Sequence, residues 1–188
     1  MNNPTIEILE VVDEGGVVVG QESRDKIHSE GLLHKEVHVI FVTPNREIIF
    51  QHREKDKASW PDKLDATAGG HVDPGEDFLT AAVREAVEET SIDIKKEELV
   101  FGGVVRTSVF EPHTGVTNNV IRNVYGYLFT GDLSDLKIEE GKIIEFVKYD
   151  FESLKNLSAE EKVKFIPERL EKIYIDIYEE IFKKLGIL

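Results

Sequence analysis

The chain has 188 residues, 40% hydrophobic and 32% charged, no cysteine, and 23 basic against 37 acidic side chains for a net charge of −14. That length suits a single domain, residues 1–188, with a sizeable core, and the composition excludes collagenous, disordered and disulfide-stapled classes together with all thiol chemistry. So acidic a chain argues against a nucleic-acid partner; without a long apolar run or a signal peptide, a soluble cytoplasmic protein with no membrane partner is expected. An anionic substrate would need metal ions or a few placed Arg and Lys to hold it.

Ile6 to Val12 and Val17 to Val19 are β-branched runs around Asp13-Glu14-Gly15-Gly16, which predicts an N-terminal hairpin within a segment, 1–34, that also carries two histidines. The polar stretch from Gln21 to Glu36 reads as a loop or short helix. Val37–Val42 and Ile48–Phe50 predict a second hairpin across Thr43-Pro44-Asn45-Arg46, and Glu54–Asp65 is charged and Pro-broken, hence a loop. In residues 77–90, Leu79, Ala82, Val83 and Ala86 recur at helical spacing after Pro74-Gly75. Strands are expected at 99–109 and 120–129, joined by a loop over 111–119, and again at 143–149. Ile173, Ile177, Ile181 and Leu185 predict a helix within a C-terminal extension, 158–188. Strands and helices mix without regular βα alternation, which points to the α+β class.

On the helix over 77–90, Glu85, Glu88 and Glu89 fall within an arc of about 100°. Like charges at this spacing repel by a few tenths of a kcal/mol per pair, so something should offset them. A divalent cation bound by carboxylate oxygens is one solution and a solvated acidic face is the other.

The surroundings of those glutamates decide between the two. Gly70-His71-Val72-Asp73-Pro74-Gly75-Glu76, then seven residues, then Arg84-Glu85-Ala86-Val87-Glu88-Glu89-Thr90-Ser91-Ile92 resembles the Nudix box, G-x5-E-x7-R-E-U-x-E-E-x-G-U. Gly70, Glu76, Arg84, Glu85, Glu88 and Glu89 match at their spacings, whereas Ala86 is a small aliphatic residue and Ser91 stands where the motif has glycine. The resemblance implies a Nudix-type α/β/α sandwich with a mixed central sheet, N-terminal β-hairpin and C-terminal helix. It also implies cleavage of a diphosphate bond in a nucleoside diphosphate derivative or related organic diphosphate, with Mg²⁺ or Mn²⁺ as cofactor. Glu85, Glu88 and Glu89 would hold the ion with the Gly70 carbonyl nearby, and Arg84 would pair with Glu76 to orient them. Glu85 is the first choice for general base, with Glu139, Glu140 and Glu145 as outside candidates.

Upstream, Arg24, His28, Gly31-Leu32, His34, Arg53, Lys57, Trp60-Pro61 and Gly70-His71 resemble the Nudix branch that contains isopentenyl diphosphate isomerases and related hydrolases. In that branch the residues matching Arg53 and Lys57 grip a diphosphate and the histidines matching His28, His34 and His71 bind a metal, so all five are candidates for substrate binding here. The isomerases' catalytic cysteine would fall at Gly69 and their later glutamates near Ile121 and Asn123, so isomerase chemistry is not expected. A nucleotide-sensing module without turnover is the alternative, against which the intact box argues. The partner expected is a small-molecule diphosphate; oligomeric state is left open, a homodimer included, and Trp60, Phe110 and Tyr125 are candidates to stack on a base.

Overall fold

The computed structural model describes residues 6–112, 114–138 and 141–187. The N-terminal hairpin pairs β1 (Ile8–Val12) with β2 (Val18–Ser23) in a small sheet of its own. Asp13 shapes its turn, where Oδ1 accepts from the N–H groups of Gly15 and Val17. The polar stretch that follows folds as α1 (Arg24–Glu30), capped by Ser23 and closed by Gly31 in the left-handed region at φ 65°.

The main sheet has seven strands, β3 (His34–Val42), β4 (Glu47–Arg53), β5 (Leu64–Asp65), β6 (Ala68–His71), β7 (Leu99–Glu111), β8 (Val116–Leu128) and β9 (Ile143–Asp150). It is mixed: β3 and β8 run parallel, while every other pair is antiparallel. β3 and β4 pair only at Phe41 with Ile49 and Val42 with Ile48; beyond that, β6 lies along β3, and β5 and β9 lie along β4. The sheet therefore forks, and the large cleft is lined from both prongs, by Glu36, His38 and Gly69 on one and by Arg53 and Asp65 on the other.

Helices cover both faces. Ala81, Ala82 and Ala86 of α2 (Phe78–Thr90) pack on Val37, Val39 and Phe41, whereas Tyr174, Ile177, Tyr178, Ile181 and Phe182 of α5 (Lys172–Lys184) pack in the core that holds Ile40 and Val42. Successive residues of β3 thus feed opposite cores, as the period of two requires, and the result is an α+β sandwich with helices on both faces of a mixed sheet. Asp77 caps α2 through the Thr80 N–H at 2.8 Å. Ser91 ends it at φ 58° with its N–H on the Val87 carbonyl. The serine adopts the left-handed conformation that glycine would take at no cost, a strain of about 1–2 kcal/mol.

Two expectations need correction. The loop expected over 111–119 is mostly strand, since β7 and β8 pair through Val109–Asn118 and Phe110–Thr117; cross-strand pairing overrides the weak strand preference of Asn. The C-terminal region is no appendage. It breaks into α3 (Phe151–Leu154), α4 (Ala159–Lys162), a turn at Pro167–Leu170 and α5, and Ile173 is 43% exposed because the buried stripe runs through Tyr174 instead. α5 approaches the sheet at Gly102, Gly103 and Gly126, where a Cβ would collide with Ile177 or Ile181; at Gly102 it would stand 2.9 Å from Ile181 Cγ1. Each large apolar side chain buried there contributes about 1.5–3 kcal/mol. No helix among the described residues is long and apolar enough to cross a membrane.

Candidate active site

α2 presents its carboxylates to the turn between β6 and the helix. Glu85 lies against Gly70, where a Cβ would overlap its carboxylate, so only glycine lets this strand and helix approach. Arg84 organises the group: Nη1 donates to Glu85 at 2.6 Å, while Nη2 donates to Glu76 and to the His71 carbonyl, each at 2.9 Å. Glu88 stands in solvent, 3.8 Å from Arg84. Glu89 is buried and accepts from the Gly69 N–H and from Gln51 Nε2, both at 3.0 Å. Burial and then the charge of Glu85 push the Glu89 carboxyl up to about 8, and burial also raises Glu85 against the opposing pull of Arg84. One buried and one half-buried carboxylate held toward protonation are short of positive charge, and that deficit is what a divalent cation relieves.

One residue along β6 stands a second cluster. His28 of α1, His34 at the start of β3 and His71 at the end of β6 place one ring nitrogen each within 4.8 Å of one another. The rings are oriented from behind: His34 Nδ1 meets the Leu32 carbonyl at 3.1 Å and His71 Nδ1 meets Glu7 Oε1 at 2.8 Å. A proton on each Nδ1 leaves both Nε2 lone pairs facing inward, an arrangement that carboxylates and carbonyls behind metal-binding imidazoles produce. His28 Nε2 and His34 Nε2 are buried with no hydrogen-bond partner. Glu36 Oε1 lies 3.8 Å from the Nε2 of both His34 and His71. Burial and then the two neighbouring imidazoles lower His28 to about 4. Three electron-rich nitrogens with no donor between them suit a cation.

The two clusters share a cleft of 1110 Å³ that both Arg53 and Lys57 also line. Arg53 is already engaged, donating to the carbonyls of Ser59 (2.9 Å) and Trp60 (3.3 Å) and to Asp65 (3.2 Å), which uses three of its five N–H groups. Sequence reasoning missed the cleft floor, a chain of ion pairs running Glu36–Arg122–Glu168–Arg169–Asp65 at 2.5–2.9 Å. Glu36 feels burial first, which pushes its carboxyl up, and the Arg122 charge overcomes this and holds it well below the usual range. Behind them His38 accepts or donates at 2.8 Å to the Tyr174 hydroxyl. The signal available in the sequence was polar residues, Glu36 and His38, breaking the apolar run of β3; nothing comparable marks Arg169.

Other candidates lie elsewhere. The β8 residues that face the cleft are Val116, Asn118 and Arg122 rather than Ile121 and Asn123, so no carboxylate enters from β8. Glu145 is exposed on β9 beside His52, and Glu139 and Glu140 fall outside the described residues. Phe110 is 60% exposed and Tyr125 is buried in the core under α2, which leaves Trp60 as the aromatic side chain of the three that lines the cleft. At Gly69 an added Cβ would stand 2.5 Å from the His38 ring and 2.8 Å from the Val37 carbonyl, so the backbone leaves no room for a side chain there.

Residues 32–170 match the family model for the NUDIX domain. The chain is 40% identical over 87 residues to an uncharacterised Nudix hydrolase of Yersinia pestis, covering 46% of this chain and 48% of that one; it spans about half the length of that relative. An uncharacterised Nudix hydrolase of Clostridium acetobutylicum is 29% identical over 154 residues, 79% of this chain and 72% of the relative. Among solved structures, a Deinococcus radiodurans protein shares the fold with a TM-score of 0.60 at 23% identity, covering 80% of this chain and 87% of its own.

Proposed function

This chain belongs to the Nudix hydrolase family, and we propose from that premise that it hydrolyses the diphosphate linkage of a nucleoside diphosphate derivative or related organic diphosphate with Mg²⁺ or Mn²⁺. The observation that carries the reading is that Glu85, Glu88 and Glu89 of α2 all line the cleft, with Glu85 against Gly70 and the buried Glu89, held on the Gly69 N–H, pushed toward protonation. A bound divalent ion supplies charge neutralisation at the diphosphate and lowers the pKa of the attacking water.

The chain's own residues do the rest. Arg84, fixed by Glu76 and the His71 carbonyl, holds Glu85 in place without reaching for the substrate. Glu85 takes the proton from the nucleophilic water, a task for which burial raises its carboxyl in the useful direction. Arg53 and Lys57 meet the phosphates from the opposite prong of the sheet, Arg53 with the N–H groups its loop contacts leave over. The imidazoles of His28, His34 and His71 form a second cation site on the same cleft, supported by the inward lone pairs and by Glu7 and Leu32 behind them. Isomerase chemistry is disfavoured because Gly69 carries no thiol and admits no side chain, and the intact carboxylate set favours turnover over sensing alone.

The test is a phosphate-release screen over nucleoside diphosphate sugars, dinucleoside polyphosphates, nucleoside triphosphates and coenzyme A, with Mg²⁺ and with Mn²⁺. Metal-dependent turnover of at least one diphosphate is expected. Tight binding of a nucleotide with no turnover under either metal would replace this reading with the sensing one.

A further inference from the structure

Polar side chains span the fork of the main sheet. β3 and β4 stay paired as far as Phe41 and Ile49, and there the Thr67 hydroxyl accepts from the Phe41 N–H at 2.9 Å and donates to the Ile49 carbonyl. Ile49 packs in the core under α2, and the alternation of a strand returns β4 to that face two residues later, at Gln51. Gln51 is buried, and its Nε2 crosses from β4 to Glu89 of α2, donating to Oε2 at 3.0 Å. A residue of the other prong thus grips a carboxylate of the cleft.

Both hydrogen bonds that Glu89 accepts arrive at one oxygen. The Gly69 N–H donates to the same Oε2, also at 3.0 Å, and no donor among the described residues reaches Oε1. Because Glu89 lines the cleft, Oε1 is the oxygen left for a cation. The chemistry of the second donor matters as much as its place. An amide gives a hydrogen bond without bringing a charge, whereas Lys or Arg at this position would oppose a cation and a carboxylate would repel Glu89. Hydrogen bonds to the ionised carboxylate work against the burial that pushes Glu89 toward protonation, and the ionised form is the one that ligates a metal.

We infer that Gln51 is a positioning residue of the carboxylate centre, its amide holding Glu89 by Oε2 and keeping Oε1 for the divalent cation. This rests on the diphosphatase reading above. Gln51 lies on β4, outside the stretch from Gly70 to Ile92 that carries the motif, so the centre is assembled from both prongs of the sheet. Partners behind a metal ligand fix its orientation, and their loss weakens the metal without touching it. A side chain that only filled space would be replaced at no cost by an apolar one of the same length.

The experiment titrates metal-stripped protein with Mn²⁺ and follows the free ion by electron paramagnetic resonance, with no substrate present. The class of bound Mn²⁺ that Glu88→Gln weakens marks the carboxylate centre. Gln51→Met, which keeps the length of the side chain and loses the donor, should weaken that class by about 10–100-fold and leave any other class unchanged. Gln51→Leu is the second variant, and each is compared with the unaltered chain by its melting profile. In a Glu89→Gln background Gln51→Met should weaken Mn²⁺ no further, because its effect passes through Glu89. Unchanged affinity in Gln51→Met and Gln51→Leu overturns the inference, and so does a further loss in the Glu89→Gln background. The parent reading fails separately, through the absence of metal-dependent hydrolysis of any diphosphate in the screen; hydrolysis and Glu88-dependent Mn²⁺ binding that both ignore Gln51→Met remove only the role of Gln51.

Discussion

Gly70 and His71 are neighbours on β6, yet they belong to clusters of opposite character. On the Gly70 side, Glu85 is paired with Arg84 and both it and the buried Glu89 are pushed toward protonation, so protons and a guanidinium offset part of the negative charge. On the His71 side, three imidazoles converge, and the Nε2 atoms of His28 and His34 have no hydrogen-bond partner. The first arrangement suits a hard ion that keeps waters and phosphate oxygens in its shell, such as Mg²⁺; the second suits an ion that prefers imidazole. Arg84 ties the two together, since its Nη2 holds both Glu76 and the His71 carbonyl.

The strongest way to break this comparison is to remove one ligand of the oxygen set. Glu88→Gln, at an exposed position that leaves packing untouched, should lower kcat by about 10²–10³, the range found when one electrostatic group is lost from a transition state. Steady-state kinetics on the best substrate of the screen checks this, and full turnover by the variant would detach Glu88 from catalysis.

The next effects come from residues that act through others. Arg84→Ala should cost about 10–100-fold in kcat with limited change in KM, and a rise in KM alone would make Arg84 a substrate ligand. Glu7→Gln should weaken the imidazole site by a similar factor of about 10–100 in metal affinity while leaving the carboxylate site unchanged, as competitive metal titration would show. Equal weakening of both sites by Glu7→Gln would mean that the clusters are one site.

Arg53→Ala removes two hydrogen bonds that fix the Trp60 loop and a third to Asp65 of β5, and the acceptors left behind cost about 1–3 kcal/mol of stability. Thermal unfolding reads that loss, and a KM for diphosphates that rises more steeply at low ionic strength reads the remaining grip on phosphate. An unchanged KM with lowered stability would reduce Arg53 to a loop staple.

The smallest effect is on pH dependence. Glu89 is raised to about 8 in the folded chain, so between the unfolded value and pH 8 the folded state binds more protons, and stability must fall as pH rises through that window. His28, lowered to about 4, contributes in the opposite sense only below its unfolded value near 6.5. Between pH 6.5 and 8 the metal-free protein should therefore lose up to about 1.4 kcal/mol per pH unit. Added Mg²⁺, or Glu89→Gln, should remove the slope in chemical denaturation curves; a slope that persists in Glu89→Gln belongs to another group.

What could be read from the sequence depended on how local each feature is. Glu85, Glu88 and Glu89 share a face because a helix fixes residues three and four apart, and Arg84 and Glu76 follow from the same motif. The N-terminal hairpin, α2 and the stretch of β9 were legible from periodicity and turn residues. The imidazoles were legible only through the resemblance, since α1, β3 and β6 must first be assembled. Glu36 and Arg122 meet because parallel pairing places them in register, and Arg169 reaches Asp65 across 104 residues of chain. No local pattern encodes either. The buried stripe of α5 was legible at Ile177 and Ile181, while four-residue spacing placed Ile173 on it in place of Tyr174, off the face that the glycines of β7 and β8 admit.

We propose that the carboxylate face of α2 is a metal-dependent hydrolytic centre. Its most direct test is turnover of a diphosphate substrate by metal-stripped protein in excess chelator, followed by titration with Mg²⁺, for the unaltered chain and for Glu88→Gln. The expected outcome is no turnover in chelator, full recovery with Mg²⁺ in the unaltered chain, and a displaced and much lower recovery in the variant. Undiminished turnover in chelator would contradict it.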